Sequence, residues 1–197
     1  MDNAHLFELL SAGPGLAPGR MLLALLLANW MILFVPLALA WSWARGAAAA
    51  RAELLELLAS VGIALALVQA ASWLWPQPRP FAVQLGTQYL QRADNPGFPS
   101  DHVTVFWSLA LSALFTRRFA PWSFPLLGIG LAVGWSRVYV GVQFPYDVVA
   151  AFPAALASAL MAHGLRRRAG PLIHRLLDYD ARLRLALASW WRARPRL

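Results

Sequence analysis

The chain has 197 residues, 59% of them hydrophobic and 13% charged, with a formal net charge of +8. That is too apolar for an ordinary soluble domain and predicts an all-α, polytopic membrane helix bundle. The absence of cysteine excludes disulfides and thiolate metal sites. The arginines fall in loops and a tail between apolar runs, so topology explains the charge and nucleic acid is not an expected partner.

Residues 4–11 read as a short interfacial helix ended by the Gly13-Pro14-Gly15 and Pro18-Gly19 breakers. Asp2 and Glu8 stand where a signal peptide would be basic, so a cleaved leader is not expected. Apolar length then predicts about five transmembrane helices of roughly 20 residues each. The first runs over 21–44 and turns at Arg45–Arg51. The second runs over 52–75 and stops at Trp75-Pro76, with Pro78 and Pro80 preventing more helix. A polar loop over 76–101 leads to the third, 102–116, which ends at Arg117-Arg118. The fourth covers 122–140, and the fifth starts near Pro145 and ends before Arg166-Arg167-Arg168. Residues 1–170 form one bundle in this reading, followed by a basic amphipathic tail, 171–197. In the tail Leu172, Leu176, Tyr179, Leu183, Leu187 and Trp190 fall at helical spacing. That pattern suits a helix on the inner membrane surface or one packed on the bundle.

Charge orients the spans. Arg45, Arg51, Arg117, Arg118 and Arg166–Arg168 fall on one side, with the basic tail, and that side is cytoplasmic by the positive-inside rule. Arg20, Arg79, Arg92 and Arg137 fall on the other, balanced by Asp2, Glu8, Asp94, Asp101 and Asp147. Three polar islands therefore meet on the outer face: Arg79-Pro80, Pro99-Ser100-Asp101-His102, and Ser136-Arg137 with Asp147.

Each island carries phosphate chemistry. The planar fork of Arg79, stiffened by flanking prolines, suits a phosphoryl group. Ser100 is placed to cap the third helix, whose first N–H groups attract an anion. Asp101 is a cap or a local counter-charge within that phosphate-binding island. His102 titrates near working pH and can move a proton. Arg137 and Asp147 form either part of the same site or an ion pair joining two spans. Gln143 lies four residues before Asp147 and shares a face with it if the turn is helical.

The set resembles the signature of the type 2 phosphatidic acid phosphatase superfamily over about residues 50–165. That signature is Lys, six residues, Arg-Pro; then Pro-Ser-x-His; then Ser-Arg, five residues, His, three residues, Asp. Phe98-Pro99-Ser100-Asp101-His102 and Arg79-Pro80-Phe81 look most like the bacitracin-resistance type of undecaprenyl-pyrophosphate phosphatase. Those enzymes recycle the lipid carrier of bacterial cell-wall synthesis at the outer leaflet. The resemblance implies His102 as general acid, Arg79, Ser100 and Arg137 as phosphate ligands, and Asp147 as the group that orients the nucleophile. It implies no cofactor and no metal. It implies membrane lipids and a polyprenyl pyrophosphate as partners, and a plasma-membrane location with a cytoplasmic C-terminus.

Two positions depart from the signature. Ser72 stands at the lysine, a lost positive charge for which Arg92 is a candidate substitute that nothing in the sequence places, and Gln143 stands at the histidine that attacks phosphorus. A carboxamide nitrogen is not basic and should not form a phospho-enzyme. Three readings remain open: a trapped variant, a chain that positions a water through Gln143 with His102 or Asp147 as base, or a natural pseudo-enzyme that binds lipid phosphate. A transporter is disfavoured, because the charges gather at one face and no inverted repeat shows.

Overall fold

The computed structural model describes residues 2–193, and the side chains of these except 167, 187, 188 and 190–193. All regular structure in this range is helical. Helix α1, Asn3–Leu10, begins at an Asp2 cap whose carboxylate accepts the His5 N–H. Helix α2, Pro18–Leu25, passes through a π turn at Leu26–Trp30 and a 3-10 turn at Met31–Leu33 into α3, Phe34–Arg45. Pro36 explains the irregular path, since it has no N–H to donate and its ring crowds the preceding turn.

Helix α4, Ala48–Leu74, stops before Trp75-Pro76 as the prolines demand. Helices α5, Asp101–Ala113, α6, Ser123–Tyr139, and α7, Pro145–Arg168, complete the bundle. Three segments are long and apolar enough to cross a membrane: Pro18–Arg45, Ala48–Leu74 and Pro145–Arg166. The other two expected spans, α5 and α6, are present as helices of 13 and 17 residues. At 1.5 Å per residue α5 extends only about 20 Å, short of a hydrocarbon core of about 30 Å.

Helix α5 can be short because it is the axis of the bundle. Every residue from Val103 to Ala113 is buried, and α4, α6 and α7 surround it. A helix that is buried all round needs no polar face. Small residues let the neighbours approach: Ala151, Ala155 and Ala159 recur every four residues along α7 and share a core cluster with Val103, Phe106 and Trp107 of α5. Ser60 Oγ of α4 lies 3.3 Å from Ser158 Oγ of α7, so those two helices are also joined by a hydrogen bond.

The bundle has two chemically different ends. At one, the fully buried Glu56 carboxylate faces His163 Nδ1 at 2.9 Å and accepts from Arg166 Nη1 at 2.5 Å, while Glu53 accepts the Arg118 N–H. There helix α8, Gly170–Ala193, docks on the α3–α4 turn through Asp180, which pairs with Arg51 at 2.8 Å and accepts from Trp43 Nε1. Leu172, Leu176, Tyr179 and Leu183 remain exposed on α8. The polar side of the tail helix thus packs on the bundle, while these apolar residues stay exposed. The side chains of Leu187 and Trp190 lie outside the described residues. The other end gathers the three polar islands.

Candidate active site

The site forms where the 76–100 loop, the start of α5, the end of α6 and the α6–α7 turn converge. Its centre is Gln143, only 1% exposed. The Gln143 carbonyl oxygen accepts from Ser100 Oγ at 2.7 Å and from Arg137 Nε at 2.6 Å. Its amide nitrogen donates to the Gly97 carbonyl at 2.8 Å. One carboxamide thus ties two of the islands and the Gly97 loop together, and each of its polar atoms is satisfied, as burial requires.

Arg137 is fully buried. Besides Gln143 it donates from Nη1 to the Ala28 carbonyl at 2.9 Å, in the π turn of the first span. Its Nη2 lies 3.9 Å from Asp101 Oδ1. Arg79 is almost as deeply buried and is held in its loop by the Asn95 carbonyl, Asn95 Oδ1 and the Val142 carbonyl, at 2.9–3.1 Å. Its stem lies against Gly97, where a side chain would crowd it. Burial pulls the Arg79 guanidinium below the ordinary arginine value, with Asp101 the main opposing influence.

Ser100 is the N-cap of α5, as the sequence suggested, but its hydroxyl bonds Gln143 and not the helix backbone. Asp101 acts on the next residue instead: its Oδ1 accepts the His102 N–H and faces His102 Nδ1, both at 2.8 Å. An ionised carboxylate only accepts, so the ring carries its proton on Nδ1 and presents Nε2 outward. Arg92 Nη2 lies 3.4 Å from that Nε2.

Asp147 differs most from expectation. Its Oδ2 accepts the Phe144 N–H at 2.8 Å, capping α7, and its backbone carbonyl accepts the Ser100 N–H at 2.9 Å. Gln143 precedes the helix, so the two side chains do not share a helical face; Gly97, not Asp147, receives the amide. Arg137 also pairs toward Asp101 and not Asp147. Asp147 therefore positions the α7 start against the Ser100 turn. Ser72, at the lysine position, donates to the Phe98 carbonyl at 2.7 Å and braces the same turn.

Sequence reasoning missed Asn95 and the carbonyls of Ala28, Gly97 and Val142. A backbone acceptor has no side-chain signature; only the Asn95-Pro96-Gly97 turn was visible as a loop. Gly141 was missed too. It takes a positive φ of 80° between Arg137 and Gln143, and a Cβ there would collide with the Thr87 carbonyl. Gly141→Ala is expected to cost at least about 2 kcal/mol, lowering the thermal unfolding midpoint in detergent by about 5 °C or more. An unchanged midpoint would show that the 87–89 loop yields freely.

The sequence profile of the PAP2 superfamily matches residues 53–171, which hold every part of this cluster except Ala28. The chain belongs to the PAP2 superfamily. Among its PAP2 relatives, the putative undecaprenyl-diphosphatase YbjG of Escherichia coli is 35% identical over 96% of this chain and 90% of its own length. The undecaprenyl-diphosphatase BcrC of Bacillus subtilis is 30% identical over 59% of this chain and 58% of its own. The structure of Aquifex aeolicus LpxE superposes with a TM-score of 0.60 at 22% identity, covering 80% of this chain and 92% of that one, which shows a shared fold. Lipid-phosphate hydrolysis is the reaction class of this PAP2 group, and the apolar helices fit a membrane setting.

Proposed function

We propose that this chain binds undecaprenyl pyrophosphate at the outer face of the bacterial plasma membrane and removes its terminal phosphate, returning the carrier lipid to cell-wall synthesis. The observation that carries this reading is the convergence of Ser100 and Arg137 on the buried Gln143, with Arg79 on the adjoining Val142 carbonyl and His102 linked to Arg137 through Asp101. The arginine-rich loops at the opposite end support an outward site and a cytoplasmic C-terminus. An apolar cleft of about 520 Å³, lined by Met31, Phe34, Phe106, Leu109 and Ile129 among others, gives a lipid tail room between the spans.

A phosphate entering the site competes with the Gln143 carbonyl for Ser100 Oγ–H and Arg137 Nε–H. Gln143 forms no covalent intermediate, so water is the nucleophile. It attacks the terminal phosphorus, the bond to the bridging oxygen breaks, and the lipid monophosphate leaves with the electron pair. The water proton passes to His102 Nε2, with Asp101 holding the Nδ1–H of the ring. A departing phosphate monoester has a second pKa of about 6 and needs no proton to leave. The imidazole is thereby free to serve as base, whereas an alcohol leaving group would need it as acid.

A second reading is favoured by one observation: the Gln143 carbonyl already occupies both Ser100 and Arg137. The chain then holds the lipid pyrophosphate without cleaving it. Phosphate release from undecaprenyl pyrophosphate by the full chain in detergent separates the two. Release that falls at least about a hundredfold in His102→Ala supports hydrolysis with Gln143 in place. Saturable lipid binding without release supports the second reading, and neither binding nor release sinks both.

A further inference from the structure

Most of the donor nitrogens of Arg79 and Arg137 are already engaged by the protein. Three nitrogens of Arg79 are committed to Asn95 and the Val142 carbonyl, and two of Arg137 to Gln143 and the Ala28 carbonyl. Both guanidiniums are buried and fixed. They set a positive potential, but contacts to a ligand must be traded against contacts to the protein.

Arg92 is different. It is half-buried, on the irregular loop that follows the 3-10 turn at Pro80–Val83, and its contact among the described residues is the long one to His102 Nε2. At 3.4 Å that contact is weak, so the fork is held near the site without being used up. The distances link it to the main pocket: Arg137 Nη2 to Asp101 Oδ1 is 3.9 Å, Asp101 Oδ1 to His102 Nδ1 is 2.8 Å, and His102 Nε2 to Arg92 Nη2 is 3.4 Å. Ser72 at the end of α4 carries no charge, and its hydroxyl proton is spent on the Phe98 carbonyl.

We infer that Arg92, beside His102, forms a second phosphate subsite next to the Arg79–Arg137 pocket, which takes the other phosphate of a pyrophosphate headgroup. This rests on the lipid-pyrophosphate reading above. A guanidinium with free N–H groups binds a phosphate in bidentate fashion, and a headgroup with a single phosphate cannot fill both places. Arg92 is thus a specificity residue: it selects pyrophosphate over monophosphate.

The test is equilibrium binding of undecaprenyl pyrophosphate and undecaprenyl phosphate to the full chain in detergent, beside Arg92→Ala and Arg92→Lys. Arg92→Ala is expected to weaken pyrophosphate binding about tenfold and monophosphate binding less than about twofold. Arg92→Lys, which keeps the charge and loses the fork, falls between wild type and Arg92→Ala. All three should unfold at the same temperature, because a half-exposed side chain with one long contact carries little stability. If wild type binds the pyrophosphate and Arg92→Ala matches it, or loses both lipids equally, the subsite is wrong while the function reading stands. Wild type that binds neither lipid overturns the function reading and the subsite with it.

Discussion

Replacing Gln143 with histidine is expected to raise phosphate release from undecaprenyl pyrophosphate by about a hundredfold or more, and to yield an acid-labile phosphoprotein. The gain follows from what the carboxamide now does. Its oxygen accepts from Ser100 and Arg137, and its nitrogen donates to Gly97. An imidazole at the same place can donate one N–H to the Gly97 carbonyl. That bond fixes the tautomer and turns the other nitrogen, with its lone pair, toward the space between Ser100 and Arg137. A carbonyl oxygen accepts from both the hydroxyl and the guanidinium, but the single lone pair of that nitrogen accepts from one at most, so at least one of the two donors becomes available to phosphate oxygens. A nucleophile and at least one phosphate ligand are gained by one substitution of similar volume. Release within about twofold of wild type, without a trappable phosphoprotein, would show that residue 143 is not at the reacting phosphorus.

The same substitution tests the role of Asp147. If Gly97 orients the imidazole, Asp147→Ala in the Gln143→His background should lower stability, through the lost acceptor for the Phe144 N–H, more than it lowers turnover.

Much of this arrangement was legible before any coordinates. Spans were readable because membrane helices must satisfy their own backbone and must be apolar for their whole length. The islands were readable because charge at a bilayer boundary is costly and stands out. What stayed hidden has a common cause. Arg137 is anchored by the Ala28 carbonyl, and Ala28 is an apolar residue in an apolar span, indistinguishable from its neighbours in one dimension. The Asp147 offset from Gln143 looked helical, yet Pro145 starts the helix after Gln143 and breaks the i, i+4 relation. Arg92 is a candidate substitute for the charge lost at Ser72, but nothing in the sequence places it; the fold of the 84–100 loop sets it beside His102. The length of α5 was overstated because its burial on all sides replaces the apolar run that a lipid-exposed helix would need.

Arg137→Lys is expected to reduce undecaprenyl pyrophosphate binding or turnover about a hundredfold, although charge is conserved. Arg137 works in three directions at once: Nε to the Gln143 turn, Nη1 to the first span, Nη2 toward Asp101. One ammonium on a flexible stem cannot hold that fork, so the end of α6 loses its tie to the π turn and the pocket loses its fixed donor. Arg137→Ala goes further and leaves the Ala28 carbonyl and the Gln143 oxygen short of a partner in a buried setting. That costs about 1–3 kcal/mol for each acceptor left short and should lower the unfolding midpoint as well as function. The pair of variants separates the two roles. Lysine keeps a buried cation near Asp101, so stability should fall much less than with alanine while function falls nearly as far. A lysine variant with wild-type affinity would mean that positive potential alone holds the headgroup, and that the planar geometry of Arg137 serves the fold and not the ligand.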